Sequence, residues 1–278
     1  MDTLARLHPH ARVVTLREAD HSYTIDTTDG PVACPRKTVS KFAEHLFEVF
    51  DPDAIVEKNF ESWRWNASSA YFGLIQAAPS DAAAKSAIKS SWRAKGEEAS
   101  RAGTLMHENL EAYANGVDSP DTHEKALFVE WLAAHPEYEL LRTEFAVCLL
   151  SKAGAPLLAG CIDLVLRCRE TDTICLVDYK RVDPTPKRAN APPNLLLPGM
   201  AFRNKKAKPP LGDVEDSPYG KYLLQLNLYR YIIERKAYGL RVGRMLLLQM
   251  HPELLHAHPC EIPEIDVTPL FAGMDVEE

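Results

Sequence analysis

The stretch LLAGCIDLVLRC-RETD-TICLVDYKR (157–181) decides the fold of this 278-residue chain. Two β-rich apolar runs flank the short polar turn RETD, which is the pattern of a β-hairpin. Side chains two apart in a strand share a face, so Asp178 and Lys180 point the same way while Tyr179 points to the opposite side of the sheet. The sequence therefore predicts a hairpin that places charged groups within an apolar sheet.

The spacing also predicts a site for a cation. If the hairpin pairs so that Asp163 shares the face of Asp178, two carboxylates become close neighbours and repel each other. A hard cation such as Mg²⁺ or Mn²⁺ relieves that repulsion, because carboxylate oxygens are its preferred protein ligands. Lys180 would then face a phosphate or an attacking water. The alternative is that Asp178 and Lys180 are solvated residues of a half-exposed strand.

Two segments before the hairpin carry further candidate ligands. The run 92–116 is rich in helix formers and predicts a helix from about Gly103 onward, which includes His107. A neutral imidazole there could add a nitrogen ligand to an oxygen-rich site, although a single helix histidine is also typical of a structural role. The run 139–150 predicts a strand that carries Glu144, and by itself this residue is typical of a surface charge.

A helix is also predicted after the hairpin, over residues 217–239, where a proline near the start and apolar residues at three-to-four spacing precede Gly239. Gln225 and Tyr229 are four apart and lie on one stripe of this helix. A buried glutamine needs a hydrogen-bond partner, so Gln225 is either a satisfied core residue or part of a cleft lining.

Taken in sequence order, these pieces resemble the PD-(D/E)xK nuclease superfamily, in particular its RecB-like branch. In that branch a helix histidine precedes a strand acid, GxxD, (D/E)xK and a helical QxxxY. The corresponding residues here are His107, Glu144, Gly160 to Asp163, Asp178 to Lys180, and Gln225 to Tyr229. The resemblance covers roughly residues 95–250. The run 92–107 is also similar to the mitochondrial genome maintenance exonuclease and related viral and phage exonucleases.

The resemblance implies an α/β fold with a restriction-endonuclease-like core, in which helices flank a mixed central β-sheet. It implies that Asp163, Asp178 and the backbone carbonyl of Tyr179 hold the principal Mg²⁺ or Mn²⁺, and that His107 completes the metal shell. It gives Glu144 a part in holding a second metal or an activated water.

The same resemblance implies that Lys180 orients or helps to deprotonate the attacking water, and that Gln225 and Tyr229 support the cleft and touch nucleic acid. Asp178 stands where Glu is commoner, which shortens the reach to a metal. The implied function is a metal-dependent DNA exonuclease acting on single-stranded ends in replication, repair or recombination. A structure-selective DNA or RNA endonuclease is an alternative, and a noncatalytic nucleic-acid-binding protein on the same fold is another.

Charge is unevenly distributed along the chain. The formal net charge of −7 argues against indiscriminate binding to nucleic acid. Between Lys180 and Lys208, however, eight basic residues accompany one acid, Asp183, in a Pro-rich segment without helix or strand pattern. Long loops of this kind are functional or disordered. We predict a basic flap over the DNA path, with a disordered linker as the alternative. The predicted nucleic-acid contacts from this segment are Arg181, Arg203, Lys205, Lys206 and Lys208.

The organisation predicted from these patterns has four parts. They are an N-terminal extension (1–20), a hairpin and helical region (21–94), the nuclease core (95–255) with its basic loop (182–217), and a C-terminal tail (256–278). In the second part, 21–35 predicts a small hairpin. The run 38–50 predicts a helix capped by Thr38 or Ser40, with Phe42, Leu46, Val49 and Phe50 on its apolar face, and 81–92 predicts another short helix. The aromatic residues Trp63, Trp65, Tyr71 and Phe72 either close a helical subdomain or stack on single-stranded bases.

Several cofactors and compartments are disfavoured by the sequence. The six cysteines include no CxxC pair, which favours reduced thiols in an intracellular protein and no iron–sulfur cluster. His251, His256 and His258 fit a surface loop better than a zinc site. There is no GxxxxGK[ST] motif, so the nuclease is free-standing or borrows a motor from a helicase or replication partner. No apolar run is long enough to span a bilayer, and cytoplasm, nucleus and mitochondrion stay open.

Overall fold

The computed structural model describes residues 14–17, 22–27, 30–34, 38–186, 193–196, 205–235 and 238–277. The helices are α1 (Val39–Glu44), α2 (Pro52–Trp65), α3 (Phe72–Ala77), α4 (Asp81–Ala114), α5 (His123–Ala134) and α6 (Pro218–Ile233). The strands are β1 (Val14–Arg17), β2 (Ser22–Thr27), β3 (Gly30–Ala33), β4 (Tyr138–Leu150), β5 (Pro156–Cys168), β6 (Thr173–Lys180), β7 (Val242–Gln249) and β8 (His258–Glu261), and a 3₁₀ turn covers Thr268–Phe271. The chain divides into two compact units, residues 1–48 with 106–278 and residues 49–105.

A five-stranded mixed sheet forms the centre of the first unit. Its strand order is β4-β5-β6-β7-β8, and all neighbours are antiparallel except β6 and β7, which are parallel. Parallel neighbours need a long crossover connection, and here that connection contains α6. The prediction of an α/β chain with a mixed central sheet is confirmed.

The predicted hairpin is present as β5 and β6. Their pairing runs from Cys168 opposite Thr173 to Leu164 opposite Val177. Asp172 closes the turn with a φ of 53°, a left-handed conformation that aspartate tolerates better than most residues. The carboxylate of Asp172 also accepts a 2.7 Å hydrogen bond from Arg167, which ties the turn to the strand.

Apolar side chains cover both faces of the central sheet. On one face, α1 and α6 contribute Val39, Leu224 and Leu228 to the core. On the other face, the end of α4 contributes Leu110 and α5 contributes Phe128. A helix is present where 217–239 predicts one, and it is α6, which starts at Pro218 with its first turn capped by the Ser217 hydroxyl. It ends earlier than predicted, at Ile233. None of the helices in the described ranges has both the length and the apolar character needed to cross a bilayer.

The three-stranded sheet β1-β2-β3 packs against the second half of β4 and the beginning of β5, where it contacts Ala146, Cys148 and Ala159. The pairing of β2 with β3 confirms the predicted hairpin in 21–35, and β1 lies inside the predicted N-terminal extension. Thr38 caps α1 as predicted. The apolar face predicted for this helix was wrong at its end, because α1 stops at Glu44 and leaves Val49 and Phe50 89% and 64% exposed.

The second unit is helical and has its own core. Val56, Phe60 and Ile88 are buried there between α2, α3 and the first part of α4. The interpretation that aromatic residues close a subdomain holds for Trp63 and Tyr71, which pack against each other with ring centroids 4.6 Å apart.

The predicted helix start near Gly103 was wrong. Asp81 to Ala114 is one helix, in which Gly96 and Gly103 are tolerated as interior residues. The separate short helix predicted over 81–92 is the first part of this same helix. The domain boundary expected at 94/95 therefore falls inside α4, whereas the compact unit extends to Leu105.

Candidate metal centre

The candidate site begins where β5 and β6 separate. The last pair in their ladder is Leu164 with Val177, and Asp163 and Asp178 are the next residues on the two strands. The backbone N–H of Tyr179 donates a 2.7 Å hydrogen bond to Asp163 Oδ2. Beyond the last backbone pair, this side-chain hydrogen bond connects β5 to β6 and holds the Asp163 carboxylate next to the end of β6.

Glu144 comes to the same place from β4. The residues on either side of Glu144 pair with the residues on either side of Asp163, so the two acids stand opposite each other on antiparallel strands. Glu144 has a φ of 45°, a left-handed conformation that is uncommon for a residue with a Cβ. The alternation of β5 is interrupted at this level too, because Ile162 and Val165 pack in the same core although they are three residues apart. The strand irregularity therefore coincides with the acids.

His107 completes a three-residue cluster. It lies near the end of α4, with Nδ1 3.6 Å from Asp163 Oδ2, and its ring meets the Tyr179 ring edge-on at a centroid distance of 5.5 Å. One ligand atom each from His107, Glu144 and Asp163 lies within 4.8 Å of the others, and all three residues are half-buried. One imidazole nitrogen and two carboxylate oxygens form a donor set that suits a divalent cation.

The electrostatics of the cluster also favour a cation. Burial, and then the nearby Asp163 carboxylate, raise the pKa of Glu144 to about 7. The Cys161 thiol partly offsets this rise because it donates a 3.1 Å hydrogen bond to Glu144 Oε2. A positive ion between Glu144 and Asp163 would stabilise the ionised form of Glu144.

Asp178 stands beside this cluster with partners of its own. Its side chain is buried, with the residue 3% exposed, Oδ1 accepts a 2.9 Å hydrogen bond from Gln225 Nε2, and Oδ2 forms an ion pair with Lys180. Burial, and then the charge of Asp163, raise the pKa of Asp178 to about 6, against the effect of the nearby ammonium. The Lys180 ammonium lies 4.7 Å from the centroid of the Tyr222 ring. Burial acts to lower the pKa of Lys180, but the carboxylates of Asp178 and Asp163 outweigh it and raise that pKa.

The residues that come together in the structure are not the same as the predicted metal ligands, which were His107, Asp163, Asp178 and the carbonyl of Tyr179. His107 and Asp163 come together as expected, but the third member of their cluster is Glu144, predicted as an accessory residue. Asp178 lies next to them and is engaged with Lys180 and Gln225. The side chain of Tyr179 is buried on the other face of the sheet, as the alternation predicts.

The Tyr229 ring packs directly against Gly160 and leaves no room there for a side chain. A Cβ at Gly160 would stand 2.7 Å from Tyr229 Cε1, 2.8 Å from the Tyr229 hydroxyl and 3.0 Å from Val39 Cγ2. Tyr229 is only 3% exposed, so its contacts in this structure are with the protein. The glycine therefore allows α6 to approach β5 directly behind the acids.

The predicted basic contacts have protein partners. Arg181 donates a 2.7 Å hydrogen bond to the buried Glu124, Lys205 pairs with Glu48, Lys206 lies 3.7 Å from Asp213, and Lys208 donates a 3.0 Å hydrogen bond to the carbonyl of His45. Arg203 lies outside the described residues, as does most of the segment 187–204. Nucleic acid would have to compete with these partners for the four described cations.

The histidines near the C-terminus contact different partners. His256 pairs with Glu130 at 2.8 Å, His258 faces the carbonyl of Leu196 at 3.3 Å, and His251 accepts a 3.2 Å hydrogen bond from the N–H of Glu253. His251 and His256 lie in the loop between β7 and β8, whereas His258 is the first residue of β8. The six cysteines are all free thiols.

Two contributors to the site were missed by sequence reasoning. Cys161 bonds Glu144, and the signal for it was its position inside the GxxD motif. Tyr222 packs under Lys180, and the signal was its position one helical turn before Gln225. The left-handed backbone of Glu144 has no sequence signal of the usual kind, since glycine or asparagine would be expected there.

Comparisons with known proteins add little to this geometry. No protein-family model and no curated protein matches the chain. A solved structure titled "Crystal structure of SSO0001" is 13% identical and covers 82% of this chain and 77% of its own, with a TM-score of 0.28. A likeness at that level carries no argument about fold or function.

Proposed function

We propose that this chain is a metal-dependent nuclease of the PD-(D/E)xK superfamily, with the RecB-like order of motifs, and that it hydrolyses phosphodiester bonds in DNA. One observation carries the proposal. Acids from three adjacent strands (Glu144, Asp163 and Asp178) meet near a helix histidine, and a lysine two residues beyond the last acid lies beside them. Five motifs matched in sequence order support the same assignment.

The residues present fit a divalent ion. His107, Glu144 and Asp163 would hold Mg²⁺ or Mn²⁺, whose role when bound is to activate water and to stabilise the attacking and leaving oxygens. Asp178 keeps the Lys180 ammonium in place. That ammonium is positioned to screen the negative charge that develops on the phosphate in the transition state.

The substrate that we favour is single-stranded DNA with a free end. The motif order resembles that of the RecB-like exonucleases, and the net charge of −7 disfavours indiscriminate binding to nucleic acid. The ion pairs of Lys205 with Glu48 and of Lys206 with Asp213 act in the same direction. A helicase or replication protein that exposes single strands is the kind of partner that fits this activity.

A cleavage assay tests the proposal. Linear and circular single-stranded DNA and linear RNA of one sequence are incubated with Mg²⁺, Mn²⁺ or EDTA, and the products are resolved on a denaturing gel. We expect Asp163→Asn and Lys180→Ala to lower the rate at least 100-fold, because each removes a charge from the reacting centre. Asp172→Asn is the matched control, since it makes the same change in an exposed turn at the other end of the hairpin and should keep full activity.

The substrates separate the remaining alternatives. Cleavage of the linear strand alone supports an exonuclease, and cutting of the circle indicates an endonuclease. Retained activity in both Asp163→Asn and Lys180→Ala would overturn the site. Tight DNA binding without metal-dependent cleavage would indicate a noncatalytic binding protein.

A further inference from the structure

The helical unit 49–105 contains a cleft that the candidate metal centre does not use. Its volume is about 460 Å³. Phe50 and Trp92 form an aromatic side, and Ser86, Lys89, Ser90 and Arg93 line it along α4. All of these residues belong to the same compact unit, whereas the metal centre is built from residues of the other unit.

The aromatic side of the cleft consists of one exposed ring, Phe50, and one fixed ring, Trp92. Phe50 is 64% exposed, and its ring meets Trp92 edge-on at a centroid distance of 5.8 Å. Trp92 is fixed from behind, because its Nε1 donates a 2.8 Å hydrogen bond to the Tyr71 hydroxyl and its ring packs edge-on against Trp63. The exposed Phe50 ring beside this fixed indole offers a planar ligand a stacking face.

The polar side of the cleft is basic and hydroxylated. Ser86, Lys89, Ser90 and Arg93 follow one stripe of α4 at three-to-four spacing. Lys89 is engaged with Asp53. Arg93 is exposed, and its guanidinium has no hydrogen bond or ion pair with a side chain in the described ranges. The charge of Arg93 is therefore available to an anion beside the aromatic rings.

We propose that this cleft binds one nucleotide of a single-stranded nucleic acid, with the base stacked on Phe50 beside Trp92 and the adjoining phosphate on Arg93. Aromatic rings next to a cation are the recurrent recognition elements for single strands, because every base has a π-face and every linkage is anionic. The volume is within the range of small-ligand sites. The choice of DNA as the strand rests on the proposed nuclease function, but the cleft itself lies outside the nuclease site.

Fluorescence anisotropy of a labelled oligothymidylate in EDTA tests the cleft without cleavage. Phe50→Ala should weaken binding about fivefold or more, since one base–aromatic stack is worth about 1–3 kcal/mol. Arg93→Ala should weaken binding and reduce the slope of log affinity against log salt by about 0.7, the value for one phosphate contact on a single strand. Leu105→Ala and Lys95→Ala are matched controls, because they remove an exposed apolar side chain and a cation from elsewhere on the same unit, and they should bind like the unaltered chain.

An abasic version of the oligonucleotide separates stacking from charge. With no base at the contacted position, Phe50→Ala should bind like the unaltered chain, whereas Arg93→Ala should still bind more weakly. Thermal unfolding confirms that each variant is folded.

The outcomes distinguish this inference from the nuclease assignment. If the chain cleaves DNA but Phe50→Ala and Arg93→Ala bind and cleave normally, the cleft is not a nucleotide site and the nuclease assignment stands. If both variants bind more weakly but the unaltered chain never cleaves, the cleft stands and the nuclease assignment fails. Absence of any binding by the unaltered chain in EDTA would overturn the cleft.

Discussion

Glu144 on β4 stands opposite Asp163 on β5, and it does so with a left-handed backbone at a φ of 45°. A regular strand residue would continue the alternation of its neighbours. The left-handed backbone conformation at Glu144 lies at the same level as the break in side-chain alternation on β5. As a result, the carboxylates of Glu144 and Asp163 lie within 4.8 Å of each other and of a His107 nitrogen. Backbone strain of this kind persists only where the surrounding structure imposes it, and it is found most often at functional sites.

The strain at Glu144 predicts an unusual order of stability for two substitutions. Glycine inside a strand is ordinarily less stable than alanine by about 0.5–1 kcal/mol. At a φ of 45° the preference should reverse, because a Cβ in the left-handed region costs about 1–2 kcal/mol. We expect Glu144→Gly to be more stable than Glu144→Ala by about 1 kcal/mol in urea unfolding. The reverse order would show that the left-handed conformation is absent in solution.

The carboxyl group of Glu144 predicts a pH dependence of the metal-free chain. Its pKa is raised to about 7 in the folded state from 4.5, by burial and by Asp163, with Cys161, His107 and Glu111 as the other nearby groups. Folding therefore takes up a proton between pH 4.5 and 7, so the contribution of Glu144 to stability falls as the pH rises through that window. The neutral variant Glu144→Gln avoids this loss, and its stability relative to the unaltered chain should increase by about 1–3 kcal/mol from pH 4.5 to pH 8.

Urea unfolding of both proteins across this pH range, in EDTA, measures the difference. A difference that does not change with pH would contradict the raised pKa. Addition of Mn²⁺ at pH 8 should then stabilise the unaltered chain more than Glu144→Gln, because the substitution removes one of the carboxylates in the cluster.

The close approach of α6 to β5 makes Gly160 sensitive to a single methyl group. Gly160→Ala would place a Cβ 2.7 Å from Tyr229 Cε1, so the ring or the helix must move. We expect a loss of about 1–3 kcal/mol in the free energy of unfolding, the usual cost of overpacking a core. Gly103→Ala is the matched control, because nothing lies within 4 Å of its added Cβ in α4 and the change should stabilise the helix. Equal effects of the two substitutions would contradict the packing.

Local patterns were sufficient to predict the elements that carry the acids. The hairpin of β5 and β6 and the helix α6 follow from periodicity, turn residues and caps that lie within about 25 residues of one another. The alternation within β6 also fixed the faces of Asp178 and Tyr179. These features depend on neighbouring residues along the chain, which is why the sequence alone contains them.

The assembly of the site depends on contacts that sequence spacing does not encode. Whether Glu144 or Asp178 joins His107 and Asp163 depends on where the β5–β6 ladder ends and on the backbone of β4. Most partners of the basic segment are also distant along the chain. Lys205 finds Glu48, a residue 157 positions away, and a pattern of consecutive charges cannot show such a partner. The sequence predicts one helix over 81–92 and another from about Gly103, but α4 runs through both, since an interior glycine costs only about 1 kcal/mol.

The contact between Tyr222 and Lys180 predicts that substitutions of Tyr222 lower the cleavage rate to different extents. Its ring lies under the Lys180 ammonium, with 4.7 Å between the nitrogen and the ring centroid, and Lys180 is also paired with Asp178. Tyr222→Phe keeps the aromatic face and should retain most activity. Tyr222→Leu keeps apolar volume but removes the face, and a cation–π contact in a desolvated site is worth about 0.5–2 kcal/mol. We therefore expect the cleavage rate of Tyr222→Leu to fall between twofold and about 30-fold with little change in DNA affinity, as measured by single-turnover kinetics. Equal rates for the Phe and Leu variants would show that Asp178 alone positions Lys180.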